Sequence, residues 1–364
     1  MIENVLKVIN KWLYVEDETQ IKIMLAVAVA SQCPGEPIWM FVIGPSGSSK
    51  TEILRSLRTS SRIYSIDSVT ARSFISGFGS ASSGEFDLLP ELNGKLFVIK
   101  DFSILLETGT QKDRDSVFTI LRQVYDGYYE VKFGSLKGKK SYTSRFGILT
   151  GVTDVIDYYS KVHSMLGERF IKLRVKYNRR EFVRSAFRHS GNEDKMREEI
   201  AEAVRIALDW YSTLAPVPVL KPETEEKILN LSECVAILRS PVPRDYKHEV
   251  SYLLSPEIAT RLGKQFLRLA QALFRIDSWN YNYLLRVARD SVFPERLRIV
   301  DYLRNHSKDS ITNIADFTKQ PRNVIKYGCE DLWFLGVCDR RLDSSSYFYS
   351  LKSDFISSLE SAGL

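Results

Sequence analysis

The stretch FVIGPSGSSKTEIL, residues 41 to 54, sets Gly44 and Gly47 ahead of a lysine and a threonine, Lys50 and Thr51. Residues of these types at this spacing do phosphate chemistry. Consecutive backbone N-H groups of a glycine-rich turn and the positive end of the following helix face an anion, while the lysine reaches the outer phosphates and the hydroxyl ligates magnesium. The usual form is G-x-x-x-x-G-K-[ST], and here Ser49 stands where the last glycine belongs. Gly44, Pro45, Ser46, Gly47, Ser48 and Ser49 are therefore expected to cradle a triphosphate, with Lys50 on its β and γ groups and Thr51 on the metal. Serine is small and can add donors, so the loop reads as intact with a displaced glycine. The alternative is an accident of composition.

The second chemical element is LFVIKDF, an apolar run that delivers Asp101. An acid at the carboxyl end of a buried strand lies where a magnesium-bound phosphate would sit, so Asp101 is expected on the metal beside Thr51. The plainer alternative is a strand that ends on a polar residue. Together these residues imply ATP and Mg2+ as cofactors. The residue after Asp101 is Phe102, where many ATPases of this kind carry the glutamate that polarises water; the base must come from elsewhere, or hydrolysis is slow.

Elements that could position these groups are visible around them. IWMFVIG, RIYSI, GKLFVIKD, FGILTGVT and RFIKLRV read as five strands, most of them apolar throughout as buried parallel strands are. Helical patterns alternate with them, which implies an α/β sheet with helices on both sides. Residues 1–30 read as N-terminal helices, 31–177 as the α/β core, 178–292 as a helical linker and lid, and 293–364 as three short helices followed by a β-hairpin, the pattern of a winged helix.

Composition bounds the rest. The chain has 364 residues, 44% hydrophobic and 26% charged, with a net charge of +6, ordinary for a globular protein and only mildly suited to a polyanionic partner. The four cysteines and four histidines are scattered, which suggests neither a zinc cluster nor a disulfide framework. The run IKIMLAVAVA falls short of the roughly 20 residues a bilayer needs, and no signal-peptide pattern opens the chain. A cytoplasmic protein without a membrane partner is expected.

The order of GPSGSSKTE, FVIKDFS, LRQVYDGYYEVKFG, GILTGVTDVIDYYSKVHSMLGERF and EIATRLGKQFLRLAQAL resembles the AAA+ ATPases of phages and integrative elements, which look like relatives of the MCM replicative helicases. The resemblance runs from about residue 20 to the end. It implies a P-loop AAA+ core with a parallel sheet, a helical lid and a C-terminal winged-helix domain. It further implies that Thr153 is the polar sensor at the γ-phosphate or its attacking water, that Arg169 is an arginine finger inserted into a neighbour's site, and that Arg261 is a second sensor on the lid. For each arginine a surface salt bridge is the alternative.

In such rings a hairpin just before the first sensor projects into the channel. YYEVKFG and SYTSRFG flank a lysine-rich turn, so Lys137, Lys139 and Lys140 are expected at its tip, gripping DNA phosphates without reading sequence; a solvated loop is the alternative. In the C-terminal domain, Arg322 and Lys326 are expected to face DNA, although winged helices also serve protein contacts and Glu330 and Asp331 dilute the charge. The function implied is an ATP-dependent DNA helicase or translocase of a mobile element, a homo-oligomer, hexameric by the resemblance, working with other replication proteins. A DNA-binding ATP switch or loader that recruits another enzyme without unwinding is the second reading. A protein-remodelling ring, with Phe78 in its pore, is the third.

Overall fold

A computed structural model describes residues 1–33, 35–74, 87–132, 139–162, 169–214, 219–252, 255–343 and 346–364. The chain is α/β and divides into two compact units. The first comprises Met1–Tyr159, Arg169–Val219 and Arg268–Tyr283; the second comprises Ser160–Glu168, Leu220–Leu267 and Leu284–Leu364. No helix of the described residues is long and apolar enough to cross a membrane. Lys137 and Phe78 lie outside the described residues.

The first unit opens with α1 (Ile2–Trp12), whose buried Ile2, Val5, Leu6, Ile9 and Trp12 recur at helical spacing, and α2 (Thr19–Ala30), buried along nearly its whole length. There follow β1 (Trp39–Ile43), α3 (Lys50–Ser56), β2 (Ile63–Ile66), α4 (Ala71–Phe74), α5 (Leu88–Leu92), β3 (Leu96–Ile99), α6 (Ser103–Thr108), α7 (Gln111–Val124), β4 (Tyr128–Val131), β5 (Lys140–Thr143), β6 (Gly147–Val152), α8 (Val155–Val162), β7 (Ile171–Arg174), α9 (Arg179–His189) and α10 (Glu193–Ser212). α10 belongs here because it packs on α1 and α3, with Arg197 paired to Glu52 of α3 at 3.2 Å.

Five of these strands form one parallel sheet in the order β2-β3-β6-β1-β7. Every residue of β1, β3 and β6 is buried, as expected of strands covered on both faces. At the edge, β2 buries only Ile63. From the adjacent strands β1 and β6 the chain sets off in opposite directions along the sheet, to β2 and to β7, so right-handed crossovers place the two connections on opposite faces. A crevice opens at such a switch point beyond the carboxyl ends, where open α/β sheets take their ligands. The core beneath it is aromatic: Phe41 stacks on Phe170 with centroids 4.0 Å apart, and Phe102 lies 5.6 Å from Phe41 and 5.8 Å from Phe118.

β4 and β5 form a separate antiparallel pair, from Tyr128 opposite Thr143 to Val131 opposite Lys140. The hairpin expected from the sequence is present, but its lysines divide. Lys139 is exposed and pairs with Glu130 at 2.7 Å. Lys140 is a correction to the sequence expectation: its side chain is 3% exposed and its Nζ lies 3.0 Å from Asp87 Oδ2, itself fully buried. Burial on β5 alternates, with Lys140 and Tyr142 inward and Ser141 and Thr143 outward. Period two thus carries Lys140 away from solvent, where no DNA phosphate reaches it.

The elements that complete the chain are α11 (Pro222–Arg239), α12 (Thr260–Arg275), α13 (Tyr281–Ser291), α14 (Pro294–Asn305), β8 (Asp309–Ser310), α15 (Ile311–Thr318), α16 (Arg322–Phe334), β9 (Cys338–Asp343), β10 (Ser346–Leu351) and α17 (Ser353–Ala362). Within the second unit, β9 and β10 pair antiparallel, and β8 adds to the outer side of β10. Ser310 caps α15 by accepting the Asn313 N-H at 3.3 Å, and Lys319 ends that helix in the left-handed region, φ 52. On α16 the two acids that would dilute a basic face are engaged within the unit. Arg244 lies 3.1 Å from Glu330 and 2.7 Å from Asp331, and Arg296 lies 2.9 Å from Asp331. Arg322 and Lys326, one turn apart on the same helix, remain exposed.

Candidate nucleotide site

β1 ends at Ile43 and the chain turns at once. The Gly44 N-H donates to the Val152 carbonyl at 3.1 Å, which ties the start of the loop to the end of β6. A Cβ at Gly44 would come within 3.1 Å of Ser48 Oγ and 3.2 Å of Val175 Cβ, tight contacts that both side chains would have to relieve by a few tenths of an ångström. Farther along, Gly47 has φ +81 and Ser49 φ 57. Left-handed residues of this kind curl a backbone toward a concave, anion-binding turn; the Ser48 N-H is donated within the loop, to the Pro45 carbonyl at 3.3 Å. The residue that departs from the motif therefore still adopts the conformation that favours glycine.

That conformation costs an L-residue roughly 1–2 kcal/mol. Ser49→Gly should remove this strain but add about 0.4–1 kcal/mol of unfolded-chain entropy. The expected net stabilisation is up to about 1.5 kcal/mol, read as a higher urea midpoint at unchanged slope.

Lys50, the first residue of α3, is buried and folds back over the loop, with Nζ donating to the carbonyls of Gly44 and Pro45, both at 2.9 Å. Burial lowers its pKa below the usual lysine range, an effect that the charges of Asp101 and Asp154 partly offset. Ser48 is buried, and its Oγ has no hydrogen-bond partner among the described residues. Such a hydroxyl is uncommon in a folded chain. An orphaned donor and a desolvated ammonium at the mouth of a concave backbone fit a polyphosphate, and the half-buried Thr51 and Asp101 fit its magnesium ion.

The topology brings the remaining groups to the same end of the sheet. Asp101 leaves the end of β3, Thr153 the end of β6 and the loop the end of β1, three adjacent strands. Asp101 Oδ1 accepts the N-H of Ser103 at 2.8 Å, Ser103 Oγ accepts the N-H of Thr153 at 2.9 Å, and Thr153 Oγ1 bonds Glu107 Oε1 at 3.3 Å. A continuous relay thus links the expected metal acid to the expected sensor. Phe102, 1% exposed, points the other way, into the aromatic core. Ser103, Glu107 and Asp154 were not singled out in the sequence, and no motif marks them. The folding of α6 back beside the end of β6 brings Ser103 and Glu107 into range, and Asp154 directly follows Thr153.

The two arginines are placed differently. Arg169 is 5% exposed, with its guanidinium 6.0 Å from the Tyr125 ring, and it precedes the amino end of β7. This corrects the sequence expectation: a guanidinium buried against its own chain, below the end of the sheet opposite the loop, does not project into a neighbour. Arg261 is half-buried near the start of α12 and belongs to the second unit. A separate cavity of about 230 Å³, lined in part by Cys33, Lys95, Arg145 and Gly147, lies at the amino ends of β3 and β6. It is at the wrong end of the sheet for the loop chemistry.

Among the described residues no cluster of three or more histidines, cysteines or acids could hold a metal on its own. A metal here would be shared with a bound phosphate. The sequence matches no protein-family model and no curated protein.

Proposed function

We propose that the protein is an AAA+ ATPase that acts on DNA as an oligomeric ring, a helicase or translocase of a phage or mobile element. The observation that supports this most is the convergence of Lys50, Thr51, Asp101 and Thr153 at the carboxyl ends of β1, β3 and β6. In this reading the loop N-H groups and Lys50 hold the triphosphate, Thr51 and Asp101 share Mg2+, and Thr153 senses the γ-phosphate. The ion supplies charge neutralisation on the phosphate oxygens. The chain's own residues orient it and exclude bulk water.

The C-terminal helices, sheet and hairpin are read as a winged helix, with α16 presenting Arg322 and Lys326 to DNA. Support comes from their shared exposure and from the sequestration of Glu330 and Asp331 by Arg244 and Arg296. If both basic residues meet phosphates, the Arg322→Ala, Lys326→Ala double variant should lower the slope of log K against log salt by about 2. Unchanged slopes in a salt titration of DNA binding would remove α16 from the interface. Within the hairpin, Lys139 is the exposed candidate among the described residues.

The second reading, an ATP-controlled switch or loader, is favoured by the core position of Phe102, which denies the site a carboxylate directly after Asp101. Strand displacement separates the two. A motor displaces a labelled strand with ATP and fails with a non-hydrolysable analogue; a loader binds DNA under ATP and displaces nothing.

A further inference from the structure

Hydrolysis of ATP needs a base near the γ-phosphate, and position 102 supplies none. The carboxylates around the carboxyl ends of the sheet differ in what already occupies them. Glu52 is held by Arg55 and Arg197, Asp67 by Arg58 and Lys100, and Asp157 by Lys172 and Arg174. Asp101 is committed to the start of α6 and, in the proposed reading, to the metal. Asp154 lies 3.7 Å from Arg174 and contributes to the field on Lys50. Glu107 is exposed and has no ion pair among the described residues; its hydrogen bond is the one to Thr153 Oγ1.

Glu107 is also held in place from both ends of α6. At the start, Asp101 receives the Ser103 N-H. Near the end, the Leu106 carbonyl accepts the Tyr159 hydroxyl at 2.8 Å and Arg114 Nη1 at 3.1 Å, and Arg114 Nη1 also bonds the Gly109 carbonyl. The residues flanking Glu107 are therefore fixed while its carboxylate stays open to solvent, one hydrogen bond from the group expected to meet the γ-phosphate. A short helix anchored this way sets a side chain for chemistry without burying it.

We propose that Glu107 is the water-activating carboxylate of the site, delivered by α6 rather than by the end of β3; the inference rests on the nucleotide reading above. The oxygen of a water molecule forms a bond to the γ-phosphorus, and the bond from that phosphorus to the β,γ-bridging oxygen breaks, with its electron pair leaving on ADP. The water proton passes to Glu107 and from there to solvent. Before nucleotide binds, Thr153 restrains the carboxylate; a γ-phosphate that takes the Thr153 hydroxyl releases Glu107 toward the water. Base activity would thereby depend on a triphosphate being present.

The test compares the parent with Glu107→Gln, Glu107→Asp and Asp154→Asn in MgATP binding, single-turnover hydrolysis and the identity of nucleotide retained after gel filtration. Glu107→Gln should bind ATP within about twofold of the parent, hydrolyse on the order of 10²–10³ times more slowly, and retain ATP where the parent retains ADP. Glu107→Asp should recover part of the rate, and Asp154→Asn should stay within about tenfold of the parent. A parent that hydrolyses ATP while Glu107→Gln does so equally fast overturns the assignment of Glu107 alone, as does a loss that appears only in Asp154→Asn. A parent that neither binds nor hydrolyses ATP overturns the nucleotide reading and this inference with it.

Discussion

Alanine at position 140 is expected to destabilise the protein by about 3–5 kcal/mol, measured by urea denaturation. The reason is Asp87. Its carboxylate is fully buried, 3.0 Å from Lys140 Nζ and 2.6 Å from the Tyr142 hydroxyl. Burial and the Asp87 hydrogen bond both raise the pKa of Tyr142, so the tyrosine keeps its proton and donates it. Removing the ammonium leaves a desolvated anion with a neutral hydroxyl, whereas removing both charges leaves none. The Asp87→Leu, Lys140→Met double variant should therefore fall within about 1–2 kcal/mol of the parent. If Lys140 served DNA instead, Lys140→Ala would leave the urea midpoint unchanged and weaken DNA binding. The pair fastens the start of β5 to the residue that precedes α5.

Lys50→Ala carries the second large effect, and its size differs between function and fold. In the proposed site the ammonium compensates charge on the outer phosphates, and loss of one such donor costs on the order of 10²–10³ in kcat/KM for ATP. Stability should barely move, staying within about 1 kcal/mol of the parent. The lysine is buried, its pKa is lowered by desolvation, and its only described hydrogen bonds are to two carbonyls of its own loop. A residue that contributes little to the fold while its charge is kept out of water is the pattern of a binding group. Comparable loss of stability and of ATP turnover in Lys50→Ala would point to a structural lysine.

The sheet was legible because its strands are apolar without interruption. WMFVI, LFVI and GILTGV can be buried on both faces only between layers of helices. The loop was legible for the opposite reason, since glycine, lysine and threonine at fixed offsets have few structural uses together. Phe102 announced itself as a departure, and the aromatic core explains why no acid stands there.

What escaped the sequence follows from geometry rather than composition. The inward turn of Lys140 was implicit in its alternation with Tyr142, but three lysines near a turn suggested a basic tip more strongly than period two suggested burial. Arg169 adjoins Phe170, whose stacking on Phe41 draws the start of β7 inward; nothing in GERF distinguishes that from exposure. Glu107 has no motif because its partner, Thr153, is 46 residues away. The buried stripe of α11, Ile228, Leu231, Ser232, Val235, Leu238 and Arg239, includes a serine and an arginine, which blurs the apolar periodicity that reveals such a helix.

The most direct test of the nucleotide account is an equilibrium titration of ATP with Mg2+ into the parent chain and into Lys50→Ala. The account predicts one ATP bound per chain, dependence on Mg2+, and binding weakened by on the order of 10²-fold or more in the variant. A parent that binds no ATP at millimolar concentration, or one whose binding is indifferent to the loss of Lys50, would contradict it.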